Sequence, residues 1–162
     1  MSIATFTIVH VIISLVAIVS GLVAFAGLLN SSIQPGWTML FLLTTVLTTV
    51  TGFMFPFGAV TPAFVTGLIS TVVLTSALLA LYAFRLMGGW RRIYVVTAML
   101  ALYLNCFVLV VQSFLKIPAL KALAPTQSEP PFLLAQGAVL AAFIIFGVLA
   151  FRRFHPLTAA QA

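Results

Sequence analysis

From residue 3 to residue 29 the chain carries no charged side chain, and four further stretches of similar character follow. A helix must offer ~20 mostly apolar residues to cross a hydrocarbon core of ~30 Å. Five segments meet that demand: about 3–29, 37–55, 63–87, 93–115 and 132–151. Nothing else in a chain of 162 residues constrains the fold as strongly. Charged residues are only 5% of the total and hydrophobic ones 64%, with a mean hydropathy of +1.31. A soluble domain uses about 25% charged residues to clothe its surface, so lipid must be the solvent over most of this molecule. The expected fold class is all-α: a polytopic transmembrane helical bundle of five crossings in a single domain, 1–162. The second segment is short and rich in threonine, which leaves a four-crossing alternative with that segment re-entrant. The first lacks the basic start of a secretory signal and is expected to be a retained helix.

Charge placement sets the expected direction. Arg85, Arg91, Arg92, Arg152 and Arg153 fall at one end of a five-crossing bundle, and Lys116, Lys121 and Glu129 at the other. Positive residues mark the cytoplasmic side, so the N-terminus is expected outside and the C-terminus inside. PFGAVTPA (56–63) and KALAPTQSEPPF (121–132) would then face outward. The net charge of +6 does not point to nucleic acid, because no basic run is interleaved with aromatics. Arg91, Arg92, Arg152 and Arg153 are candidate contacts for anionic lipid or a partner's acidic loop on the inner face, or simply topology signals. The expected partners are the bilayer, with a homo-oligomer or a larger membrane complex as further possibilities.

Polar groups inside a membrane are costly and are therefore where function is sought. His10, Thr48, Thr51, Asn105, Gln112 and Gln136 all reach the outer half or the midplane on this topology. They form a candidate polar pocket, with Lys121, Gln127 and Glu129 in the loop above as its lid. Such a pocket could hold a quinone headgroup, a polar solute or a proton path. The alternative is that these side chains only join helices by hydrogen bonds, worth ~0.6 kcal/mol each on average. Threonines 44, 48 and 51, and 45, 49 and Gly52, fall on adjacent stripes. Gly67, Ser70, Thr71 and Thr75 repeat the theme, as do Ala17 with Gly21 and Gly137 with Ala141. Small residues so spaced let helix backbones approach closely. Thr61–Pro62 reads as a helix start, and Ser128 as a cap for the fifth crossing. Glu129 there favours the positive helix end, with Lys116 and Lys121 near it.

No HExxH, paired carboxylates, phosphate-binding glycine loop or Cys/His metal spacing is present. Cys106 is the lone cysteine and reads as a small apolar core residue. No metal and no cofactor is expected. The length and early-helix histidine resemble small membrane cytochromes of the b561 type. A bis-histidine haem needs two facing imidazoles, however, and His155 falls at the opposite end from His10, so haem is not carried over. In TTVLTTVTGFMFPF (44–57), APTQSEPPF (124–132) and the helices between, the chain is similar to small bacterial inner-membrane proteins. That resemblance implies a setting, the bacterial inner membrane, and no activity. The expected role is a non-enzymatic structural or accessory component. A small transporter or channel for a neutral or weakly polar solute is the first alternative, and a quinone- or redox-associated protein the second.

Overall fold

A computed structural model describes residues 2–55 and 62–155. Residues 56–61, which include most of the PFGAVTPA loop and the Thr61 cap, lie outside the described residues. The chain is helical, with no strand among those described. Its elements are α1 (Ile3–Leu29), α2 (Pro35–Phe53), α3 (Pro62–Leu78), α4 (Trp90–Lys116), α5 (Pro118–Leu123) and α6 (Pro130–Arg153). A π-helical turn, Leu79–Ala83, prolongs α3. Five helices have the length and apolar composition of membrane spans. The second is a continuous helix of 19 residues, roughly 28 Å at 1.5 Å per residue, which is a crossing length rather than a re-entrant one.

Local chemistry explains the helix ends. Ser2 caps α1 by accepting the Thr5 amide at 3.2 Å. At the other end, Ser31 takes a left-handed φ of 56° and the Ser32 amide returns to the Gly27 carbonyl at 2.9 Å. This closes α1 in the manner usually assigned to glycine. Pro35 starts α2 two residues before the expected Trp37, because a first-turn proline gives up no hydrogen bond. The third crossing stops earlier than residue 87. Arg85 and Leu86 have φ of 47° and 60°, and the Leu86 amide folds back onto the Ala80 carbonyl at 3.0 Å. Their apolar surroundings concealed this turn. The short helix α5 was also not anticipated; Pro118 begins it at the first turn.

Neighbours run α1–α2–α3–α4–α6 and back to α1, with α4 also against α1. The fully packed core occupies one half of this bundle. Its members are the later parts of α1 (Leu28), the early part of α2 (Phe41, Leu42), the end of α3 (Leu74, Ala77, Ala80), the start of α4 (Tyr94 to Leu102) and the end of α6 (Ala150, Phe154). All of these lie toward the arginine-bearing end. In the lysine-bearing half the buried apolar residues among those described reduce to Phe114 and Ala124.

Glycine explains the close approach within the packed half. A Cβ on Gly21 would lie 2.6 Å from Leu102 Cδ1 and 2.8 Å from Phe41 Cδ2, so α1, α2 and α4 meet there without space for a methyl group. In the lysine-bearing half, Gly67 similarly faces the Phe53 ring at 2.9 Å. The expected stripe on α6 behaves otherwise: Gly137 has nothing within 4 Å of an added Cβ, and Ala141 is exposed. That stripe does not pack within the bundle. Gly21→Val should therefore destabilise the fold by about 1–3 kcal/mol, the usual cost of overpacking, while Gly137→Ala, which meets no neighbour, should stabilise α6 by up to about 1 kcal/mol. Unfolding by denaturant in detergent would measure both.

Candidate functional site

Most hydroxyls in the crossings are satisfied by their own helix. Thr44, Thr45, Thr49 and Thr51 donate to the carbonyls of Leu40, Phe41, Thr45 and Leu47 at 2.6–2.9 Å. Thr71 and Thr75 do the same in α3. In hydrocarbon there is no water to serve instead, so the residue four positions back is the available acceptor.

The candidate pocket residues resolve into separate contacts. His10 Nδ1 lies 2.7 Å from Thr51 Oγ1, joining α1 to α2. Because the Thr51 hydroxyl proton is directed to Leu47, the Nδ1–H must be the donor, which leaves Nε2 unprotonated in the neutral ring. The Phe55 ring stands edge-on to the imidazole at 5.3 Å. Asn105 Nδ2 donates to Thr45 Oγ1 at 3.2 Å, joining α4 to α2. Gln136 Nε2 donates to the Phe107 carbonyl at 3.2 Å, joining α6 to α4. Among the described residues, two buried side-chain atoms lack a partner: Thr48 Oγ1 and Gln136 Oε1. Gln112 faces outward and is exposed, so it does not belong with Asn105 despite the heptad spacing. Each of these three bonds joins a different pair of helices.

Two open spaces lie away from these contacts. A void of about 10 Å³ sits in the packed half between Gly21, Phe41, Tyr94 and Leu102, room for about one water. An apolar groove of about 240 Å³ runs along the outside of α1 and α2 past Leu15, Val19 and Trp37. Neither is lined by a residue of the polar set.

The expected lid closes the α4–α6 turn. α5 packs on α4, and Gln127, at φ 58°, donates from Nε2 to the Val111 carbonyl at 2.9 Å. Phe114 and Phe132 meet edge-on beneath it at 5.4 Å. Lys121 sits exposed in the last turn of α5. Glu129, not Ser128, is the N-cap residue of α6, and its side chain makes no cap bond. It turns back instead. Oε1 accepts from the Thr126 hydroxyl at 2.8 Å and the Thr126 amide at 3.1 Å, and Oε2 from the Ser128 amide at 3.1 Å. Neither Lys116 nor Lys121 is among its partners. Slight burial pushes the carboxyl up, but the bonds from Thr126 and Ser128 outweigh it and hold Glu129 below the ordinary glutamate range.

At the other end Arg91 donates from its guanidinium to the Phe154 carbonyl, tying α4 to the end of α6. Arg92 lies over the Phe151 ring, 5.9 Å from its centroid. Arg152 and Arg153 are exposed in the last turn of α6. The His155 amide donates to Ser31 Oγ at 2.6 Å, which sets His155 and His10 at opposite ends of α1. Sequence reasoning did not find the Arg91–Phe154 lock or Thr45 as the partner of Asn105. The threonine cluster was the only advance signal of the latter. No protein-family model, curated protein or solved structure matches this chain.

Two threonines one turn apart should respond oppositely. Thr45→Val removes the acceptor of Asn105 and should cost ~0.6 kcal/mol. Thr48→Val removes a buried unpaired hydroxyl and should stabilise by about 1 kcal/mol. Denaturation in one detergent would compare them. For Glu129 the sign follows from its lowered pKa. The loop contacts are intact above about pH 4.3, the unfolded value, and are lost as pH falls through the lower folded value. Amide exchange at Thr126 and Ser128, corrected for intrinsic pH dependence, should lose protection over that acid range, and Glu129→Gln should weaken it already at neutral pH.

Proposed function

We propose that this chain is a non-enzymatic structural or accessory component of a bacterial inner membrane, with its arginine-bearing end in the cytoplasm. The observation that carries the reading is the use made of the intramembrane polar groups. His10, Asn105 and Gln136 each bond across a different helix pair, and no described cavity gathers them. A catalytic or transport site needs such groups to converge on one space that a reactant can enter. The void inside the packed half is water-sized, which lends no support to a solute path. Large apolar side chains remain exposed along α6, including Leu134, Ile144 and Ile145, as suits a helix that meets lipid or another membrane protein.

The test is purification in mild detergent followed by intact-complex mass analysis. Co-purification with a stoichiometric membrane partner, or a stable homo-oligomer, is expected. A monomer without partners in every membrane condition would overturn the reading. A reporter fused after Ala162 is expected to read cytoplasmic, and a periplasmic signal would reverse the orientation.

A further inference from the structure

The last turn of α6, which carries Arg152 and Arg153, meets the first turn of α4, which carries Arg91 and Arg92. Phe154 is fully buried against Tyr94, with ring centroids 6.3 Å apart, and its carbonyl receives the Arg91 guanidinium. Ala150, one turn earlier, is also fully buried. These apolar anchors hold Arg152–Arg153 beside Arg91–Arg92 although like charges repel. Arg92 is placed by the Phe151 ring, so the cluster stands on the rigid, packed half of the bundle.

No carboxylate side chain balances it. Glu129 is the sole acidic side chain of the whole sequence, and it lies at the opposite end, bonded to Thr126 and Ser128. Arg91 has a neutral carbonyl as its partner. Arg92 has an aromatic face, and Arg152 and Arg153 extend outward. The negative end of α6, which terminates at the same junction, offsets the positive end of α4, so the attraction for an anion rests on the guanidiniums. An arrangement of guanidiniums at a helix end just beyond an apolar span matches a phosphate diester at headgroup level, which arginine can bind with two parallel hydrogen bonds.

We infer that the α4–α6 junction binds the headgroup phosphate of an anionic phospholipid, with Arg92, Arg152 and Arg153 as its ligands and Arg91 as the residue that positions the two helix ends. The site does not depend on the accessory role, because it needs no protein partner. It differs from generic topology signalling in requiring a particular pair of helix ends. Charge alone would make Lys116 and Lys121 serve equally for lipid adsorption.

The experiment uses the full chain in zwitterionic detergent, titrated with phosphatidylglycerol and, separately, with phosphatidylcholine, with bound lipid counted by native mass spectrometry. Wild type should retain phosphatidylglycerol in preference to phosphatidylcholine. R152Q/R153Q should weaken that binding about 30-fold, while K116Q/K121Q, with the same loss of charge, should leave it unchanged. R152K/R153K keeps the charge without the planar fork and should recover part of the affinity. Equal losses in the two glutamine doubles would overturn the site in favour of diffuse attraction. So would a wild type indifferent to headgroup charge, a result independent of how any variant folds. If inorganic phosphate displaces phosphatidylglycerol at equal concentration, the ligand is free phosphate and the lipid assignment fails.

Discussion

Hydrocarbon offers no hydrogen bonds, and the rest of this structure depends on that fact. Each backbone amide in a crossing must pair within its own helix, and hydroxyls face the same demand. The threonine-rich α2 meets it with a succession of bonds to carbonyls four residues earlier. A segment that looks marginal for a membrane span by hydropathy is thereby made suitable for one, because its hydroxyls present little unpaired polarity to lipid. The exceptions are then informative. Thr48 Oγ1 and Gln136 Oε1 are buried without partners, and both lie in the half of the bundle where apolar packing is sparse.

The two halves are held by different forces. Toward the arginine end, Gly21 admits Leu102 and Phe41 to near contact, and core side chains from five helices interlock. Dispersion and shape dominate there, since lipid tails leave no hydrophobic drive between helices. Toward the lysine end, isolated hydrogen bonds bridge α1 to α2, α4 to α2 and α6 to α4. Each is individually weak, and ring contacts such as Phe53 with Phe64 and Phe114 with Phe132 supplement them. The Arg91 bond to Phe154 belongs to the first regime: it fastens two helix ends that apolar contacts have already aligned.

The candidate site shows where sequence periodicity stops being a guide. Asn105 and Gln112 are seven residues apart and share a nominal helix face, yet one is bonded to Thr45 and the other is exposed. The face of a helix is legible from spacing, but whether a neighbour continues to cover that face depends on how the helices diverge along their length. Gly137 and Ala141 make the same point: their spacing permits close approach, and no described helix approaches. His10 could be placed at the depth of Thr51 by counting residues. Its bond to Thr51, and the tautomer that bond selects, required knowing that α1 and α2 present those two residues to each other.

The sequence by itself determined the solvent, the number of crossings and the gathering of arginines at one end and lysines at the other. Those follow from the one-dimensional quantities of apolar run length and charge order, which a bilayer reads directly. It also marked a helix start at Pro130, although the start of α2 at Pro35, the short α5 and the left-handed turn at Arg85–Leu86 escaped it. Tertiary structure alone decided which half is densely packed, which polar groups find partners, and that Glu129 fastens its own loop rather than capping α6. The reason is geometric. Partner choice depends on helix crossing and rotation, and these are set by side chains distant in sequence, such as Gly21 with Leu102 or Arg91 with the carbonyl of Phe154.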